Sequence, residues 1–182
     1  MKKIAFTSLS ILMLVSFTFA QKNKNKSVVF KWYSFEEAVE LNKKDPKKIF
    51  VDVFTDWCGW CKKMDASTFA DSIIKSYMAQ YYYPVKLNAE RKDTVVFNGN
   101  TYVNPNPTST RSSHQLAISL LQGRMTYPSF VILNEKFEIL NTIMGYKTAK
   151  DLEPILHFFG ENAYEKSTYQ NYIGTFSGSV KE

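Results

Sequence analysis

Cysteine is scarce in this sequence: 182 residues contain only two, Cys58 and Cys61, and both lie in the segment 58–61. A protein stabilised by disulfides usually spreads its cysteines over distant segments. The only intrachain bridge available here closes a very small loop, which removes little entropy from the unfolded chain and adds little stability. The scarcity therefore argues against a disulfide-stabilised scaffold and indicates that the two cysteines are there to react.

Histidine is equally scarce, which argues against metal chemistry. A structural zinc site built on Cys-x-x-Cys needs two further ligands at short spacing. The two histidines, His114 and His157, are distant from each other and from the cysteines. We interpret them as satisfied residues at the surface or at helix boundaries. Haem attachment requires a histidine directly after the second cysteine, where Lys62 stands. We expect no metal and no cofactor other than a Cys58–Cys61 disulfide.

Long apolar runs are missing after the first twenty residues. Residues 1–3 form a short positive head, residues 4–17 are almost entirely apolar, and Ala20 provides a small residue after them. This layout is typical of a secretory signal, and the run is slightly short for a membrane span of ~20 residues. The alternative is an uncleaved membrane anchor. We expect cleavage near Ala20 and a periplasmic or otherwise exported protein.

Concentrated charge of one sign is also missing. The formal net charge is +6, and three of the lysines fall in the segment 21–27, which we interpret as a flexible N-terminal tether. The remaining positive charge is too diffuse for a nucleic-acid footprint. We expect no nucleic-acid partner.

The rest of the chain alternates strand and helix patterns. Predicted strands cover residues 28–30, 49–54, 82–87, 94–97, 101–103, 130–133 and 137–144. Predicted helices follow a capping box at Ser34 and cover residues 62–77, 112–121, 151–159 and 163–172, with a cap at Ser112 and a bend near Ser67. Strands separated by helices pair in parallel, whereas a closing hairpin adds antiparallel strands. The pattern predicts one α/β domain, 28–175, with a mixed central sheet, helices on both faces and a flexible tail, 176–182.

The cysteine motif follows directly on an apolar strand and opens a helix. The free N–H groups and the positive end of a helix dipole stabilise a thiolate at that position. We therefore predict that Cys58 is the attacking sulfur, partly exposed and with a lowered pKa. Cys61, one turn further along, would be more buried and would resolve the mixed disulfide formed on Cys58.

Two further features stand near this motif. Asp52 interrupts the apolar run 49–54, and burial there would raise its pKa toward the range useful for proton transfer. The alternative is an edge strand that leaves this carboxylate in water. Tyr127-Pro128 precedes the strand at 130–133, and a proline in that place can simply start a strand.

The segment 51–62 resembles the active-site stretch of thioredoxin. It shares the buried Asp52, a Trp before the first cysteine, a Gly after it and a Lys after the second. The Trp-Cys-Gly-Trp-Cys-Lys-Lys-Met stretch most resembles exported thioredoxin-like proteins. The similarity in element order runs from Val28 to Phe159, while the specific motifs cover residues 50–63 and 126–130.

The resemblance implies a thioredoxin-like fold and thiol–disulfide exchange on protein substrates. It also implies that Asp52 assists deprotonation of Cys61, and that the Tyr127–Pro128 bond is cis and packs against the cysteines, where its backbone holds an extended substrate strand. Apolar rings beside the sulfur would contact a protein substrate. We expect the substrate to contact five residues: Trp57, Gly59, Trp60, Tyr127 and Pro128.

The sequence leaves the direction of electron flow open, because Trp60 stands where thioredoxin has proline. We favour a reductase that receives electrons from an inner-membrane donor, and we expect a monomer. One alternative is an oxidase or isomerase that uses the same cysteines. Another is a non-enzymatic binding or chaperone module with an apolar patch of Trp57, Trp60 and Tyr127. The segment 91–111, with its predicted hairpin, is longer than in thioredoxin, and we favour a passive surface elaboration over a role in partner choice.

Overall fold

A four-stranded mixed sheet organises the chain in a computed structural model that describes residues 29–181. The predicted signal, 1–20, and the predicted tether, 21–27, lie outside the described residues. Among residues 29–181, no helix is both long enough and apolar enough to cross a membrane. The strands are β1 (Lys48–Phe54), β2 (Tyr82–Asn88), β3 (Val95–Phe97), β4 (Asn100–Tyr102), β5 (Ser129–Leu133) and β6 (Ile139–Met144). The α-helices are α1 (Phe35–Lys44), α2 (Gly59–Ala66), α3 (Ser72–Tyr81), α4 (Gln115–Leu120), α5 (Ala149–Gly160) and α6 (Tyr169–Ile173).

The strand order in the main sheet is β2-β1-β5-β6. Strand β1 pairs in parallel with β2 and antiparallel with β5, and β5 pairs antiparallel with β6. Strands β3 and β4 form a separate hairpin. Because β1 is an inner strand, its side chains alternate between two buried cores, as its apolar run predicts. The predicted mixed sheet is confirmed.

Helices cover both faces of this sheet. One core lies between the sheet and helices α1 and α4 and includes Phe35, Ile49, Val51, Val53, Val85, Leu116, Leu120 and Val131. The other lies between the sheet and helices α2, α3 and α5 and includes Phe50, Met64, Ile74, Met78, Phe130, Ile132, Leu152 and Leu156. The predicted three-layer α/β architecture is therefore confirmed.

The predicted strand at 28–30 is wrong over the two positions that the structure describes. Residues 29 and 30 lie outside any strand, and Val29 is exposed. Only Tyr33 bridges the sheet: its N–H donates to the carbonyl of Pro84, and its own carbonyl accepts from Lys86. Pro84 has no N–H to offer to a residue before Tyr33, so a strand beside β2 cannot continue in that direction.

The helix predicted at 62–77 is two helices with a break between them. Helix α2 begins directly after Cys58 and ends at Ala66, with Ser67 as its C-cap, and a short 3₁₀ turn, Thr68–Ala70, follows. The Thr68 hydroxyl donates to the carbonyl of Lys147 and anchors the turn. Asp71 then accepts the first free N–H groups of α3, so a new N-cap starts a second helix where one bent helix was predicted.

Two other helix starts differ from the prediction. His114, not Ser112, caps α4: its Nδ1 accepts the N–H of Leu116, and its Nε2 lies 2.9 Å from the carbonyl oxygen of Asp93. His114 is fully buried rather than at the surface, and burial lowers its pKa. Helix α5 starts two residues early because Thr148 and Asp151 form a capping box, which leaves Pro154 inside the helix.

The C-terminal segment 176–181, part of the predicted flexible tail, contacts helix α5. The N–H groups of Ser179 and Val180 donate to the carboxylate of Glu153 at 2.6 and 3.0 Å. Glu153 lies on α5 and is buried. Of the helix predicted at 163–172, a 3₁₀ turn at Ala163–Glu165 and the short α6 are present. Apolar side chains add to the bonds with Glu153: Val180 packs against the core, and the Phe176 ring contacts those of His157 and Tyr172.

Candidate active site

The two cysteines are joined at the N-terminus of α2. Cys58 is the N-cap residue, its Sγ accepts the N–H of Cys61 at 3.1 Å, and the two sulfurs form a disulfide. Cys58 is 5% exposed and Cys61 3%. Cys58 therefore lies deeper than predicted, because in the disulfide its sulfur is turned to Cys61 and to the helix N-terminus. The same position would stabilise a Cys58 thiolate after reduction.

Asp52 is buried in the middle of β1, and the alternative of an edge position in water is wrong. Its Oδ2 accepts from Nζ of Lys86 at 2.5 Å, whereas its Oδ1 has no hydrogen-bond partner among residues 29–181. Burial raises the pKa of Asp52 to about 6, and the charge of Lys86 lowers it in part. The carboxyl group can thus gain and lose a proton near neutral pH.

Lys86 and Asp65 extend this arrangement, and sequence reasoning missed both. Lys86 lies on β2 directly opposite Asp52 and also pairs with Asp65 of α2. The Nζ of Lys86 lies 4.9, 5.3 and 5.2 Å from the ring centroids of Trp32, Phe54 and Phe69. A lysine inside the apolar run 82–87 was the signal that could have identified it, because parallel pairing with β1 places it beside the buried aspartate.

Tyr127 and Pro128 stand beside the first tryptophan of the motif. Their peptide bond is cis, as the resemblance implied. The Tyr127 ring packs edge-on against Trp57 at a centroid distance of 5.9 Å. Pro128 is buried, and its carbonyl accepts the N–H of Gly145. Within residues 29–181, neither the N–H nor the carbonyl of Tyr127 takes part in a backbone hydrogen bond.

An exposed surface surrounds the buried disulfide. Trp57 is 50% exposed and Trp60 57%, and the Trp60 ring lies 5.4 Å from that of Tyr146. Gly59 lies between the first cysteine and Trp60, and a Cβ added there would meet no atom within 4 Å. The site therefore offers two aromatic rings with a bare stretch of backbone between them, a form that suits contact with another chain.

The segment 91–111 reaches this surface. Its hairpin, β3–β4, turns at Asn98 and Gly99, both with positive φ, as Asn-Gly predicts. At the end of the segment, the guanidinium of Arg111 lies 4.9 Å from the Trp57 ring centroid. Trp57 Nε1 donates to Glu90, the residue before the segment. The segment thus contacts a residue adjacent to Cys58.

No grouping of three or more His, Cys, Asp or Glu side chains within residues 29–181 could hold a metal ion. A cavity of about 670 Å³ lies between α5 and the C-terminal segment. Neither cysteine lines this cavity, although Tyr146 does. The cysteine pair therefore lies outside this cavity.

Comparison with known proteins identifies the family. A family model for the thioredoxin-like domain matches residues 35–160. The chain belongs to the thioredoxin-like family. The match covers α1 through α5 and includes both cysteines, Asp52 and Tyr127-Pro128, so the predicted family is confirmed.

Solved structures support the fold of this family member. A thioredoxin from Thermus thermophilus is 16% identical at a TM-score of 0.53, with 72% of this chain and 87% of that chain covered. A DsbH oxidoreductase is 21% identical at a TM-score of 0.50, with 82% and 94% covered. A putative disulphide isomerase from Bacteroides thetaiotaomicron is 23% identical at a TM-score of 0.50, with 78% and 97% covered. These likenesses establish a thioredoxin-like fold.

One curated relative is an uncharacterized protein from Archaeoglobus fulgidus. It is 31% identical over 65 residues, which are 36% of this chain. The match spans about half, 51%, of that relative's length.

Proposed function

We propose that this thioredoxin-like protein is a thiol–disulfide oxidoreductase that reduces protein disulfides outside the cytosol through the dithiol of Cys58 and Cys61. The disulfide at the N-cap of α2 is the observation that carries the proposal. It is the oxidised form of a pair whose first sulfur accepts a helix N-terminal N–H, and that environment favours a reactive thiolate. The exposed rings of Trp57 and Trp60 provide a surface for a protein substrate.

In the first step, the thiolate of reduced Cys58 attacks one sulfur of a substrate disulfide. The substrate S–S bond breaks, a mixed disulfide to Cys58 forms, and the other substrate sulfur leaves as a thiolate that takes a proton from water. Helix α2 stabilises the attacking charge before this step.

In the second step, Cys61 resolves the mixed disulfide. The Cys61 thiol gives its proton to the carboxylate of Asp52, and the resulting thiolate attacks the sulfur of Cys58. The remaining substrate sulfur leaves as a thiolate, and the Cys58–Cys61 disulfide returns. A buried carboxyl group whose pKa is about 6 suits the transfer of this proton near neutral pH.

Tyr127 and Pro128 would hold the substrate beside the sulfurs. The backbone N–H and carbonyl of Tyr127, which have no backbone partner among the described residues 29–181, can pair with an extended substrate segment in the manner of an added strand. The bound substrate segment would pack against Trp57, Gly59 and Trp60. A putative disulphide isomerase has the same fold, and the same two steps run backwards would oxidise a substrate.

Continued reduction requires two electrons per turnover from a second dithiol. The compartment outside the cytosol is oxidising, so we propose an inner-membrane protein dithiol as the donor. The signal-like layout of residues 1–20 supports export. N-terminal sequencing of the mature protein from the envelope fraction tests this part: a chain that begins at Gln21 supports it, and an intact Met1 in the cytosol contradicts it.

The activity is tested by incubating the reduced protein with a protein disulfide and measuring free thiols. We expect turnover with a chemical reductant as the electron source, no turnover for Cys58→Ser, and stable mixed disulfides on Cys58 for Cys61→Ser. A Cys58 thiol pKa near ~8.5 without turnover would instead support a binding module. An equilibrium reduction potential near ~−120 mV would support an oxidase.

A further inference from the structure

A cation lies against each of the two tryptophans that flank Cys58. The guanidinium of Arg111 lies 4.9 Å from the Trp57 ring centroid. The Nζ of Lys63 lies 4.7 Å from the Trp60 ring centroid. Contacts of this length between a cation and a ring are attractive and hold the charged groups beside the redox pair.

Neither cation has an acidic partner within residues 29–181. Two other buried or half-buried cations differ: Lys86 pairs with Asp52 and Asp65, and Arg91 pairs with two carboxylates, those of Glu36 and Asp93. A guanidinium that lies against a ring keeps its N–H donors available for a carboxylate. Arg111 and Lys63 can therefore each bind an anionic group of a substrate.

The charged groups near the disulfide differ in whether they have a partner. The exposed cations are Lys62, Lys63 and Arg111. The nearby acids are Asp56, which accepts from Asn88, Glu90, which accepts from the Trp57 ring N–H, and Asp65, which pairs with Lys86. Each of these acids thus already has a donor, whereas Arg111 and Lys63 keep donors to offer.

We propose that this surface selects substrate disulfides that have acidic residues beside the cysteine. Arg111 binds a carboxylate on one side of the substrate cysteine, and Lys63 binds one on the other. The proposal rests on the proposed thiol–disulfide exchange and names its substrate class. It also gives the segment 91–111 a role, because the segment supplies Arg111. Complementary charge of this kind acts on the association rate and on substrate discrimination.

The experiment compares three disulfide-bonded peptides of equal length whose residues beside the cysteine are Glu, Gln or Lys. The rate constant for reduction by the reduced full-length protein is measured by the change in tryptophan fluorescence at low ionic strength. We expect the Glu peptide to react about tenfold faster than the Lys peptide. The ratio of these two rate constants should fall as salt is added, because exposed charges are screened.

Variants then test which residues set the ratio. Arg111→Gln and Lys63→Gln should each lower the Glu-to-Lys ratio about threefold, and the double variant should bring it close to one. Lys136→Gln is the matched control, because it removes an exposed charge in the turn between β5 and β6, at the end of β5 remote from Pro128. It should leave the ratio as in the parent. Partial unfolding lowers all rates together and does not change the ratio.

Two results would overturn the proposal. If all three peptides react at the same rate, or if Arg111→Gln and Lys136→Gln have the same ratio, the exchange activity stands and the acidic preference is wrong. If the unmodified protein reduces none of the peptides and no protein disulfide, the proposed function fails, and the substrate class fails with it.

Discussion

Within residues 29–181, two carboxylates are buried, Asp52 in β1 and Glu153 in α5, and their surroundings differ in kind. They are 1% and 3% exposed. Both oxygens of Glu153 accept backbone N–H groups, from Ser179 and Val180. In the part of the chain that the structure describes, one oxygen of Asp52 has a donor, Lys86, and the other has none. Burial alone therefore does not mark a functional acid.

The two side chains differ in how many of their carboxylate oxygens accept a hydrogen bond. A buried carboxylate that accepts hydrogen bonds on both oxygens serves as a structural acceptor. A buried carboxylate with one unpartnered oxygen is poorly solvated, and its protonated form gains relative stability. Asp52 has the second arrangement, which leaves it free to exchange a proton. Four substitutions test this contrast, and we order them by expected effect.

The largest effect is expected for Asp52→Asn. The pKa of Asp52 in the folded protein is raised from 3.8 to about 6. The contribution of this carboxyl group to the unfolding free energy is therefore complete below pH ~4 and is lost as the pH rises through 6. That shift corresponds to about 3 kcal/mol of unfolding free energy. Asn cannot ionise, so the variant should be more stable than the parent by about this amount at pH 8 and nearly equal at pH 3.5.

Urea unfolding of the oxidised protein at both pH values measures this effect. A gain of the same size at both pH values would show that repacking, not ionisation, is the cause. In the reduced protein, the same variant should slow release of the mixed disulfide, and the inflection near pH 6 in the rate of that step should disappear.

Glu153→Gln should have the opposite sign. Its amide NH₂ would meet one of the two backbone donors, which leaves a buried N–H without an acceptor. We expect a loss of about 1–3 kcal/mol in unfolding free energy and faster hydrogen exchange at Ser179 and Val180. Glu40→Gln, an exposed charge change on α1, is the control and should lie within about 0.5 kcal/mol of the parent. Unchanged exchange at the two tail amides would contradict the assigned role of Glu153.

Lys86→Met should move the titration of Asp52 without removing the acid. The ammonium group lowers the pKa of Asp52 through its charge and its hydrogen bond. Its removal should raise that pKa by roughly one to three units, as followed by NMR titration of the Asp52 carboxyl carbon. Lys136→Met, remote from the site, should leave the midpoint in place. A midpoint that stays near 6 in Lys86→Met would mean that burial alone sets the pKa.

The smallest effect is expected for Asp65→Asn. Asp65 shares Lys86 with Asp52, and its charge raises the Asp52 pKa as the weakest of the causes. Its side chain is 46% exposed, so solvent screens most of the interaction. The Asp52 midpoint should fall by about a few tenths of a unit in the same titration. A rise in the Asp52 midpoint would show that Asp65 positions Lys86 beside Asp52 rather than competing with Asp52 for Lys86.

The main elements of the fold could be predicted because their signals are local. The capping box at Ser34, the apolar run of β1 and the Asn-Gly turn of the hairpin each act within a few residues. The prediction failed where a residue distant in sequence determines the local structure. Residues 28–30 look like a strand, but Pro84 of the neighbouring strand removes the donor that would extend it. Ser112 looks like a cap, but the buried His114 takes that role because it also reaches the carbonyl of Asp93.

The sequence by itself indicated the redox chemistry, because Cys58 and Cys61 lie three positions apart and a strand followed by a helix places them at a helix N-terminus. It also placed a carboxyl group in an apolar strand at Asp52. Only the tertiary structure decided which groups surround that carboxyl: Lys86 is 34 residues away in sequence. Only the tertiary structure places Arg111 against Trp57 and the C-terminal segment against Glu153. Electrostatic and hydrogen-bond partners depend on distance in space, which the order of residues does not encode locally.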